Sequence, residues 1–118
     1  MANELNLSFT LAFAKANCQT VTQALSGSIT VAGTYTASNS QAIGTGDETL
    51  TFPADLATVG YCLFQNLDPT NYIEIGNDGA VYPIRLLAGE KAMLRFNGTI
   101  HAKAHTAPCN LAFTIIEA

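Results

Sequence analysis

From Leu5 to Phe13 a large apolar side chain falls on every second residue, with Asn6, Ser8, Thr10 and Ala12 between them. A period of two puts one kind of side chain on each face of an extended chain, so the pattern predicts a first strand over Glu4 to Ala14. Gln19 to Leu25 is placed to pair with it through a turn at Lys15-Ala-Asn-Cys18. Ser28 to Ala32, set between Gly27 and Gly33, predicts a short strand with Ile29 and Val31 on one face. Thr34 to Gly46 has few large apolar residues and reads as an irregular strand or a long exposed loop. Glu48 to Phe52 predicts a short strand that Pro53 stops. Asp55 to Val59 predicts a loop or one helical turn with Asp55 as its cap.

Beyond residue 60 the chain falls into four apolar runs, Gly60 to Asn66, Asn71 to Gly76, Tyr82 to Phe96 and Thr99 to Ala118. Asp68-Pro69, Asn77-Asp78-Gly79 and Asn97-Gly98 separate them, and Ala88-Gly89-Glu90 breaks the third. Aromatic and β-branched runs bounded by Gly, Pro, Asn and Asp mean strands and turns, and no segment carries an amphipathic helix over three turns. The eight or so strands of this 118-residue chain predict an all-β fold in a single domain, 1–118. The expected architecture is an antiparallel two-sheet β-sandwich, jelly-roll-like in its topology.

Charge changes the picture from fold to use. Asp, Glu, Lys and Arg make up 12% of the chain, against about 25% in a typical soluble domain. Thr, Ser, Asn, Gln and Ala stand in their place, and such a surface suits packing against other subunits because few charges need desolvating. The net charge is −4, and the five basic residues are scattered singly. With no Lys/Arg cluster to neutralise phosphates, neither nucleic acid nor an anionic membrane is expected as a partner. Met1-Ala-Asn-Glu lacks the basic flank and apolar core of a leader, so synthesis in the cytosol is the default expectation. Cys18, Cys62 and Cys109 are odd in number and have no CxxC spacing; Cys62 and Cys109 are expected to be buried free thiols.

Each candidate for chemistry has a plainer reading. His101 and His105 have the HxxxH spacing of helical metal ligands, but Thr99 to Ala107 alternates and follows an Asn-Gly turn. On a strand the two rings would stand about 13 Å apart, too far for one zinc with bonds near 2 Å. Cys109 could join them only through a turn at Pro108. Asn77-Asp78-Gly79 lacks the ligand series of a calcium loop and reads as a hairpin turn with positive φ. Gly44-Thr-Gly-Asp-Glu48 has no lysine or following helix to cradle phosphate. The acidic residues Glu4, Asp47, Glu48, Asp55, Asp68, Glu74, Asp78, Glu90 and Glu117 single out no catalytic pair. The serines find no Asp/His partner legible in sequence. Tryptophan is absent, leaving Tyr35, Tyr61, Tyr72 and Tyr82 as the rings on which a sugar could stack. Asn6 and Asn97 head glycosylation sequons that matter only in a secreted chain. No catalytic, cofactor or metal residues are therefore assigned, and an enzyme is the minority reading.

Gly60-Tyr-Cys-Leu-Phe-Gln-Asn-Leu-Asp-Pro-Thr-Asn-Tyr-Ile-Glu-Ile-Gly76 resembles small virion proteins of tailed bacteriophages and prophages. The resemblance runs on through Ile84 to Phe96 and Ala102 to Ala107 to Leu111–Glu117, about half of the chain, and rests on turn and core positions. It implies a jelly-roll or related β-sandwich subunit of capsid decoration, neck or tail, and transfers no catalytic residues. The expectation is a capsid cement or decoration subunit, plausible as a homotrimer. It would be made in the host cytoplasm, reside in the virion and contact the major capsid protein or other virion proteins. The alternatives are a neck or tail component and, from another class, a carbohydrate-binding module for host attachment.

Overall fold

In the computed structural model, which describes residues 3–118, every regular element is a strand. Met1 and Ala2, part of the segment weighed above as a leader, lie outside the described residues. Among those described, no helix is long and apolar enough to cross a membrane. The strands are β1 (Leu5–Phe13), β2 (Val21–Ile29), β3 (Thr36–Ile43), β4 (Glu48–Thr49), β5 (Val59–Asn66), β6 (Ile73–Gly76), β7 (Ile84–Leu86), β8 (Lys91–Arg95), β9 (His101–Ala104) and β10 (Cys109–Glu117). They fall into two compact units, one ending at Ala32 and the other spanning Gly33–Ala118.

The first unit is a two-stranded antiparallel ribbon of β1 and β2. Its register sets Leu5 opposite Ile29, Leu7 opposite Gly27, Phe9 opposite Leu25 and Phe13 opposite Val21. The apolar residues of both strands thus share one face, while Asn6, Ser8 and Thr10 share the other with Ser28, Ser26 and Ala24. Here β2 is longer than the sequence pattern implied. Gly27 does not end it, since a Cβ at that position would meet nothing within 4 Å and no packing is lost there.

The second unit is a sandwich of two four-stranded antiparallel sheets, ordered β3-β10-β5-β8 and β4-β9-β6-β7. The ladders nest: β3 pairs with β10, β4 with β9, β5 with β8 and β6 with β7, while β10–β5 and β9–β6 join them side by side. One long hairpin rolled up on itself gives this order, which is that of a jelly roll. Residues of period two fill the space between the sheets. Leu111, Phe113 and Ile115 of β10 and Cys62 and Phe64 of β5 face Ile73, Ile75, Leu86, Ala102 and Ala104 from the other sheet. Phe64 and Phe96 meet edge to face, with centroids 5.7 Å apart.

Three local expectations change. Thr36–Ile43 is a regular strand, because the register with Leu111, Phe113 and Ile115 supplies the bulk its own small residues lack. Residues 77–83 form a wider connection than a tight hairpin turn. None of Asn77, Asp78 and Gly79 has a positive φ, and Asp78 Oδ1 instead accepts the Ala80 N–H at 2.8 Å. Positive φ falls at Gly89 and Gly98, where the sequence breaks. Cys62 and Cys109 are buried free thiols and Cys18 an exposed one; burial pushes the Cys62 thiol up to about 12.

Candidate functional site

The densest group of polar and aromatic side chains lies on the outer face of the β4-β9-β6-β7 sheet. Alternation that buries Ile73, Ile75, Ala102 and Ala104 turns Glu74, His101 and Lys103 outward, and the register places Glu74 between Arg85 on β7 and Lys103 on β9. Arg85 Nη2 lies 3.2 Å from Glu74 Oε2. Next to them Gly76 stands opposite His101. A Cβ there would run into the Val81 carbonyl and lie 3.0 Å from Tyr82 Cα. The missing side chain lets the 77–83 connection cross over β6 and bring Tyr82 onto this face.

Tyr82 donates its hydroxyl to Asp47, and His101 Nδ1 lies 3.1 Å from each Asp47 carboxylate oxygen. The Tyr82 hydroxyl first, then His101 and Lys103, hold the Asp47 carboxyl below its ordinary range against the opposing effect of desolvation. The same bond, with Asp47 as acceptor, pushes Tyr82 up to about 12. An Asp–His pair is the orienting half of a hydrolase triad. A triad also needs a nucleophile on the other ring nitrogen, and among the described residues His101 hydrogen-bonds only to Asp47.

The two histidines are not brought together. His101 belongs to the Asp47 group, whereas His105 stacks on Tyr72 at 4.4 Å with the rings 9° apart. Arg85 lies 4.2 Å from the Tyr72 centroid. The chain does turn before Cys109, but that thiol is buried at the start of β10 and directed to the Ala107 carbonyl at 3.4 Å. Among the described residues no group of three His, Cys, Asp or Glu side chains is arranged to hold a metal ion.

Three of the four tyrosines nominated for stacking carry one of the protein's own cations. Besides Arg85 over Tyr72, Arg95 lies 5.2 Å from the Tyr61 centroid and Lys103 5.4 Å from that of Tyr82. A sugar would have to displace these cations or use the other ring faces. Tyr35 is 48% exposed. An open hollow of about 360 Å³ lies near Phe52, Thr58, Asn97 and Thr99, and none of its lining side chains titrates.

Two further carboxylates fasten the sandwich. Glu117 accepts the Thr34 N–H at 2.8 Å and the Ala57 N–H at 2.9 Å, and its pKa is lowered chiefly by the Ala57 and Thr34 amides. Asp68 accepts from the Thr70 and Asn71 amides, the Asn71 bond lowering its pKa most. All three carboxyls, Asp47, Asp68 and Glu117, bind a proton less readily folded than unfolded. Their contribution is complete above the unfolded values near about pH 4 and fades as pH falls through the folded ones. Tyr82 and Cys62 act oppositely, since their raised values withdraw stability as pH climbs past about 9. Thermal midpoints should therefore be level between about pH 5 and 8 and fall on both sides; a midpoint that rises on acidification from pH 5 to 3 would contradict this.

Of these groupings only the strand placement of the histidines was readable from the pattern of residues. Asp47, Tyr82 and His101 are 35 and 54 residues apart and meet only through the roll. No protein-family model matches the chain, and no curated protein or solved structure matches it.

Proposed function

We propose that this protein is a structural subunit of a bacteriophage virion, a cement or decoration protein that assembles as a homotrimer and clamps neighbouring capsid proteins. The observation that carries the reading is the jelly-roll strand order, an architecture shared by viral capsid subunits and lectin domains. Fold alone names no task, so the surface has to choose between them. The surface is poor in charge, and its main polar cluster is spent on internal contacts: Asp47 with Tyr82 and His101, Glu74 with Arg85, Tyr72 with His105. Such groups stiffen a face rather than await a ligand. The cations over Tyr61, Tyr72 and Tyr82 weigh against the carbohydrate-binding reading for the same reason.

A cement acts by burying apolar area at junctions between capsid subunits, and many modest contacts on one particle add up by multivalency. Particles assembled without the protein should form heads that release DNA at a lower temperature, and adding the purified protein back should restore the wild-type release temperature. Unchanged release would overturn the cement role. Densitometry of purified virions separates head from neck or tail, because decoration requires many copies per particle and a neck or tail component few.

A further inference from the structure

We infer that the exposed end of the β1–β2 ribbon docks, in a second copy of this chain, onto the outer face of the β3-β10-β5-β8 sheet. On the ribbon Leu11 and Leu25 are each 63% exposed and Phe13 is 46% exposed, all on its apolar face. A lone two-stranded hairpin is marginal in water, and three large apolar side chains at its far end add a further cost until something covers them.

The chain itself carries a surface that fits. On the outer face of the β3-β10-β5-β8 sheet, Ser38, Ala112 and Thr114 are small and leave a hollow of about 240 Å³ bounded by Leu63 and Gln65. Leu63, 44% exposed, is open to solvent there. An apolar cavity of about 150 Å³ accepts a benzene ring, so the hollow has room for the Phe13 side chain. Large residues on one sheet over small ones on the other is the interdigitation that aligned sheets use.

Charge and area select a second copy over an unlike partner. Between Leu5 and Ile29 the only charged residue is Lys15, and the strands of the receiving face offer only Lys91 and Arg95 outward. Neither surface presents an acidic group for a basic partner to read, and neither confronts the other with an array of like charges. A nine-residue ribbon offers a face of about 30 by 10 Å, whereas a stable interface takes about 800 Å² from each partner. Two ribbons stacked on each other fall well short. Head-to-tail docking uses a ribbon and a hollow on every copy, doubling the contact per chain once a ring closes. This deepens the shell-subunit reading and rests on it for its purpose, but the contact itself is a property of the purified chain.

Light scattering on the full chain tests it. The wild type should form a concentration-dependent multiple of 12.4 kDa. A Leu11→Asp/Leu25→Asp variant and a Leu63→Lys variant should each be monomeric alone, all three positions being exposed. Mixed together they should form a one-to-one dimer, since one keeps an intact hollow and the other an intact ribbon. A monomeric wild type, a Leu63→Lys variant that still assembles, or a mixture that stays monomeric would overturn the inference. Hydrogen exchange of the wild type needs no variant. The β1 and β2 amides should slow at least tenfold from low to high concentration, and equal exchange would overturn it. Self-association without any effect on particle release would sink the shell role alone; a monomer that still restores release would sink the docking alone.

Discussion

Asn66→Ala should lower stability by about 3 kcal/mol, because the substitution strips a buried amide from four backbone partners at once. Asn66 is fully buried at the end of β5. Its Nδ2 lies 2.9 Å from the Asn71 carbonyl, 3.1 Å from that of Leu86 and 3.2 Å from that of Leu87, and its Oδ1 accepts the Asp68 N–H at 2.9 Å. These contacts fall on both places where the chain crosses between sheets, from β5 to β6 and from β7 to β8. Removing the amide leaves part-buried carbonyls unpaired at each crossing, with only entering water to replace it. For a body of this size the midpoint should fall by roughly 12–24 °C, read from the far-ultraviolet strand signal. A fall under about 4 °C, the shift expected for a loss near 1 kcal/mol, would show that water replaces the amide with little loss. Asn66→Asp keeps the shape and replaces the donor by an oxygen facing the same carbonyls, so a comparable loss there would assign the effect to donation rather than packing.

Asn66 also marks the limit of what the pattern of residues revealed. An Asn before Leu-Asp-Pro reads as turn chemistry, and nothing local shows that its amide reaches the Leu86 and Leu87 carbonyls, 20 and 21 residues on. The long alternating runs were legible because each strand buries one face: Leu111, Phe113 and Ile115 announce β10 by themselves. β3 was not, because in its Thr-Ala-Ser-Asn-Ser-Gln-Ala-Ile sequence only Ala37 and Ile43 are buried, and its neighbour contributes the rest. Gly27 suggested a break where the ribbon simply has no packing to lose. The polar group on the β4-β9-β6-β7 sheet was invisible for a topological reason. Asp47 precedes β4, Tyr82 precedes β7 and His101 opens β9, so only the order β4-β9-β6-β7 makes them neighbours.

Gly76→Ala tests that neighbourhood with a single methyl group, and should cost about 3 kcal/mol, the upper end for overpacking, because the obstructing atoms are backbone. The added Cβ would collide with the Val81 carbonyl and crowd Tyr82 Cα and Pro83 Cδ, at 3.0 and 3.2 Å. A flexible side chain could swing aside, whereas here the 77–83 connection has to lift from β6. Lifting it carries the Tyr82 hydroxyl away from Asp47, the contact that does most to hold that carboxyl low. Two readouts should therefore move together: the thermal midpoint falls, and the Asp47 pKa, followed by carboxyl resonance, rises toward the ordinary carboxylate value. Tyr82→Phe removes the hydroxyl without moving the backbone, so it should raise the Asp47 pKa while costing much less stability. Combined with Gly76→Ala it should add little to either readout, since the bond it deletes is already broken. Full additivity in the double variant would mean that Tyr82 stays on Asp47 despite the methyl group, and that the connection is not held down by the absence of a side chain at Gly76.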